Sequence, residues 1–89
     1  MKSNDTQKML ARMVMATAGV DPQLEIIGFN WGETNGAAIH LYKYENVIES
    51  MTQLAEKNGK ELRVEYYDSK YDVAWYTDND VRVFALVMR

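Results

Sequence analysis

His40 is the single imidazole of the chain, and no cysteine accompanies it. Zinc sites gather several nitrogen or sulfur donors, so one nitrogen without a thiolate is a poor ligand set and no metal or cofactor is expected. General-base work by His40 would need a hydroxyl or thiol nucleophile beside it. The sequence places none there, and a cross-strand contact with an aromatic ring is the simpler role. Carboxylates recur in the turns as Asp68/Asp72 and Asp78/Asp80. Such pairs serve acid–base chemistry or calcium elsewhere, but a calcium loop of the EF-hand type needs further ligands, a mid-loop glycine and a closing glutamate. Those are missing around residues 77–80, which leaves solvated turn residues. Gly28, Gly32 and Gly36 share the spacing of a membrane helix-packing motif, yet they fall on a hairpin signal. No glycine-rich loop follows a strand and opens a helix, as a phosphate cradle requires. No catalytic residue is assigned, and the chain is not expected to be an enzyme.

Aromatic side chains remain as the groups able to act. Asn35-Gly36 is a strong signal for a two-residue type I′ turn, with Gly36 at positive φ. That turn would set Thr34 against Ala37 and so place Trp31 opposite His40, Phe29 opposite Tyr42 and Ile27 opposite Tyr44. Gly28, Asn30 and Gly32 would then form a low opposite face with Ile39, Leu41 and Lys43. An aromatic face of this kind either fills a core against a helix or meets a partner, since Tyr and Trp are enriched at interfaces.

The last apolar run, Val81–Met88, carries Val81, Val83, Ala85 and Val87 on one side and Phe84, Leu86 and Met88 on the other. A strand apolar on both sides is central, or keeps one face for another chain. Even pairing across the turn at 78–80 would bring Tyr71, Val73 and Trp75 beside Phe84, Leu86 and Met88. The expected protein-binding residues are therefore Phe29, Trp31, His40, Tyr42, Tyr71, Trp75, Phe84 and Leu86.

The elements that must position these groups follow from periodicity. A first helix is expected from Asn4 as N-cap with Gln7 three residues on, through Met9, Leu10, Met13, Val14 and Ala18. Gly19 should be its left-handed C′ residue, with Val20 folding back and Pro22 stopping the helix. Met9, Met13 and Met15 are read as core with an adaptable docking surface as the alternative. A second helix shows Asn46 and Glu49 at capping-box spacing, an apolar stripe of Val47, Ile48, Met51, Leu54 and Ala55, and Gly59 as its end. Three strands then form a meander across the turns 68–70 and 78–80, with Leu62, Val64 and Tyr66 inward and Arg63 and Glu65 on a wet side. The expected fold is α+β in the order α-β-β-α-β-β-β, an antiparallel sheet with at least one helix packed on it.

At 89 residues the chain reads as one domain spanning 1–89, too short for a deep active site. Its 47% hydrophobic content supports a folded globule. Absence of cysteine points to a reducing cytoplasm, and no apolar run approaches a membrane span. Net charge is −3 with Lys and Arg dispersed, so nucleic acid is a disfavoured partner. These features suit a non-enzymatic protein-binding module or small inhibitor that occupies a partner's surface, of the kind a phage or mobile element encodes. Self-association as a homo-oligomer is one form of this. The alternative is a nucleic-acid or nucleotide binder using an aromatic sheet face, and a small hydrolase or transferase ranks third.

Overall fold

The computed structural model describes residues 8, 11–13, 15–17, 19–32, 36–78 and 81–89. A first helix, α1, includes residues 8, 11–13, 15–17 and 19–20. Strands β1 (Glu25–Gly32) and β2 (Gly36–Tyr42), helix α2 (Val47–Lys57) and strands β3 (Arg63–Tyr66), β4 (Tyr71–Asp78) and β5 (Val81–Met88) follow. The fold is α+β, but the sheet is mixed rather than antiparallel throughout. Its spatial order is β1-β2-β5-β4-β3, and β5 runs parallel to β2. The hairpin and the meander are each antiparallel; the parallel seam arises where they dock. β5 is apolar on both sides and takes the centre, whereas β3, with Arg63 and Glu65, is left at an edge where charge is tolerated.

The hairpin register differs from that expected of a two-residue turn. Gly32 pairs with Gly36 and Trp31 with Ala37, so the strands are joined across residues 33–35, and Gly36 belongs to β2. Thr34 and Asn35 lie outside the described residues. The displacement is odd and therefore exchanges faces. Phe29 pairs with Ile39, Gly28 with His40 and Glu25 with Tyr42, with an irregularity between Ile26 and Gly28.

Both helices cover one side. α2 buries Val47, Met51, Leu54 and Ala55 in a cluster with Ile39, Leu41, Tyr76, Val83 and Ala85, which Met13 of α1 joins. The Tyr76 hydroxyl accepts a hydrogen bond from Asn58 Nδ2 at 3.3 Å, and burial pushes its pKa up to about 12. The α2 C-terminus is a Schellman motif: Gly59 at φ 70° donates to the Glu56 carbonyl at 3.0 Å, and Lys60 donates to that of Ala55 at 2.8 Å. Its N-terminus corrects the sequence reading. Asn46 is the N-cap but sits in the left-handed region (φ 59°, ψ 35°) with no side-chain cap bond, so no capping box forms with Glu49. α1 likewise continues through Gly19 and Val20, so Gly19 is not a left-handed cap. A Cβ on Gly19 would lie 2.9 Å from Lys57 Nζ, the flexible end of a side chain that can swing aside. Asn4, Gln7, Met9, Leu10, Val14 and Ala18 lie outside the described residues. Met13 is core and Met15 is exposed. β3 has no dry side: Val64 and Tyr66 are exposed along with Arg63 and Glu65, at the edge of a sheet whose helix packs chiefly over β4 and β5.

Candidate functional site

Alternate residues of the strands point away from the helices, and the register aligns them into rows. Gly28 pairs with His40, His40 with Phe84, Phe84 with Trp75 and Trp75 with Arg63. One residue from each strand thus makes a continuous row across the sheet. The neighbouring row holds Leu86, Val73 and Glu65, and beyond it Met88 pairs with Tyr71. On the other side Ala38, Arg82 and Thr77 form a third row. The described helices bury their apolar residues on the other side, and Val73, Trp75, Phe84 and Leu86 are half-buried on this one.

Close contacts fix the central row. The His40 and Phe84 rings stack with centroids 4.5 Å apart and planes 16° from parallel. A Cβ on Gly28 would meet the His40 Cβ at 3.2 Å, so the glycine lets the imidazole lie close against β1. Partial burial holds the His40 pKa below its usual 6.5, because a charged ring is disfavoured away from water. The guanidinium of Arg82 lies 4.6 Å and that of Arg63 5.7 Å from the Trp75 ring centre, within cation–π range. The face therefore changes character along the strands, from arginines over an indole, through stacked rings, to an aliphatic end. At that end a cleft of about 600 Å³ wraps the end of the sheet, lined by Tyr42, Tyr71, Leu86 and Met88 together with residues 43–46 and with Val47 and Val87 from the helix side.

Six of the eight residues expected to bind a partner fall on this surface or its rim: His40, Tyr42, Tyr71, Trp75, Phe84 and Leu86. Trp75 pairs with Phe84 and Val73 with Leu86, which is the even pairing the turn at 78–80 was expected to preserve. Phe29 does not join them. It pairs with Ile39, whose side chain is fully buried on the helix side. Trp31 pairs with Ala37 and not with His40. Of the acidic turn residues, Asp68 closes an Asx turn, its Oδ1 accepting the N–H groups of Lys70 and Tyr71 at 2.8 Å. Asp72 pairs with Arg89 at 2.8 Å, Asp78 lies in β4, and Asp80 is outside the described residues.

One polar cluster was not anticipated. Lys43 Nζ donates to Asp21 Oδ2 and, at 3.1 Å, to Ser50 Oγ, which itself donates to Asp21 Oδ2 at 2.7 Å. These hydrogen bonds, that of Lys43 first, hold the Asp21 carboxyl at about 2. The three groups satisfy one another and tie the exit of α1 to the end of β2 and the first turns of α2. No spacing rule links positions 21, 43 and 50, so only the fold shows the cluster. A cleft of about 120 Å³ between α1 and β5, lined by Arg12, Met13, Asn58 and Asp78 among others, is small for a ligand site. Among the described residues no three His, Asp or Glu side chains are grouped to hold a metal, and no helix is long and apolar enough to cross a membrane.

Compared with protein-family models, curated proteins and solved structures, the chain matches none.

Proposed function

We propose that the chain is a protein-binding module that acts by occupying a partner's surface with the open face of its sheet. The observation that carries the reading is the two-sidedness of β5. Val81, Val83 and Ala85 are buried under the helices, while Phe84 and Leu86, flanked by Trp75 and Val73, continue as an apolar area that no described element covers. Contiguous apolar surface with a polar rim marks interaction sites on soluble domains. Trp75 and Phe84 supply large, stiff contact areas, and Arg63, Glu65, Arg82 and Thr77 form the rim. An inhibitor of the kind a mobile element encodes would need no more than this.

The test is affinity capture with quantitative mass spectrometry, using the wild type, Trp75→Asp, Leu86→Asp and, as a control on the exposed side of α2, Glu49→Lys. Circular dichroism establishes that each variant is folded. The expected result is a protein captured by wild type and control and lost at least ~10-fold by both face variants. Equal capture by all four would overturn the reading.

A second reading, a binder of single-stranded nucleic acid or nucleotide, draws on the two guanidiniums over Trp75, since stacking rings with nearby cations suit bases and phosphates. Glu65 on the same face and the net charge of −3 oppose it. Polarisation of a labelled oligonucleotide, with and without salt, separates the two readings.

A further inference from the structure

The open face is complementary to itself. Its charge order at the edge strand is Arg63 in the Phe84–Trp75 row and Glu65 in the next row, the one holding Leu86 and Val73. Consider a two-fold axis lying in the plane of the face, at right angles to the strands, between these two rows. It sets Phe84 against Leu86 of a second copy, Trp75 against Val73 and Arg63 against Glu65, and each contact occurs twice. Ring meets aliphatic side chain at the centre, and opposite charges meet at the edge.

We propose that the occupant of the open face is a second copy of this chain in that arrangement; this rests on the protein-binding reading and names its partner. Area is consistent with it. Five strands of four to eight residues, at ~3.3 Å per residue and spaced ~4.8 Å apart, present about 550 Å² per copy, or about 1,100 Å² for the pair. That lies at the low end of stable interfaces, which fits a dimer in exchange with monomer at micromolar concentration. Charge is also consistent. β3 is an exposed edge strand, so Arg63 and Glu65 pair across the rim without deep burial, where ion pairs set register more than affinity. Arg82 stays over Trp75 at the periphery, facing Met88 of the second copy. The opposite register, with the axis along β5, would instead stack Glu65 near Glu25 of the second copy, so like charges disfavour it.

The test uses the pure protein and sedimentation velocity over a concentration series. Wild type should show a concentration-dependent dimer. Arg63→Glu sets glutamates against each other in both symmetry-related contacts at that edge, and Glu65→Arg does the same with arginines. Each should raise the dissociation constant at least ~10-fold, while the doubly exchanged Arg63→Glu/Glu65→Arg chain should recover most of the loss. Both positions are exposed, so these variants retain the fold. Wild type that is monomeric at every concentration overturns the proposal, even when a labelled oligonucleotide or a captured protein does bind. A dimer indifferent to either single change, or weakened by both without recovery in the double variant, overturns it as well. In the first of these cases the broader reading still stands or falls on the capture experiment.

Discussion

His40 lies flat against Phe84, and a proton added there would be a charge held partly away from water. Its pKa in the folded chain is below 6.5 for that reason, and the sign of the stability effect follows. Well above pH 6.5 neither the folded nor the unfolded chain is protonated at this site, and the full contribution is present. As pH falls through 6.5 the unfolded chain takes up the proton first, so stability declines until the folded-state value is passed. Urea midpoints measured between about pH 7.5 and pH 5 should fall for wild type and fall less for His40→Phe. Parallel decline in the two proteins would remove the imidazole from the account. Asp21 acts in a separate window. Its folded pKa is depressed to about 2 by Lys43 and then Ser50, so its contribution is present above 3.8 and is lost as pH falls from there through about 2. The Asp21 cluster also shows where reading residues in order fails, since its members meet only after α1, β2 and α2 have docked.

Elements were more legible than the contacts between them. The stripe of α2 apart from Ile48, which is exposed, its glycine stop and the alternation of β4 and β5 are local patterns, and the structure repeats them. Asn46 was legible as a boundary but not as a conformation, because a capping residue and a left-handed residue share the same letter. Its backbone at φ 59° costs a β-branched side chain about 1–2 kcal/mol and glycine nothing. Asn46→Gly should therefore hold or slightly raise the thermal midpoint, while Asn46→Val should lower it. If Asn46→Gly proved the more damaging change, side-chain capping by Asn46 would have to be reinstated. The β1–β2 register was misread for a related reason. Asn35-Gly36 carries a preferred two-residue turn, whereas the pairing of Gly32 with Gly36 spans three residues, and an odd slip moves Phe29 from the open face to the helix side. Six of the eight candidates still share one face: Tyr71, Trp75, Phe84 and Leu86 lie on β4 and β5, whose pairing does not depend on that turn, and His40 and Tyr42 lie on β2 beside β5.

At the scale of the molecule, the double-sided last strand announced a central position, but nothing local specifies that its neighbour should be β2, or that the two should run parallel. The pairing of Ile39 with Val83 joins residues from separate halves of the chain. This seam has a consequence for survival of the protein when it is stressed. If the halves part while each stays folded, β5 loses its neighbour and offers a bare backbone edge on a strand that is apolar on both sides, the pattern that templates cross-β growth. Protection from aggregation then depends on how tightly β2 holds the seam, and less on how stable the helices are. Ile39→Ala and Leu54→Ala each empty a fully buried site and should each cost about 2–5 kcal/mol. Compared at equal fractions unfolded, Ile39→Ala should form thioflavin-positive aggregates faster, and equal growth rates would show that global unfolding is the route. The strand that completes the sheet is also the one that must never be left uncovered, and its guard is a neighbour drawn from far along the chain.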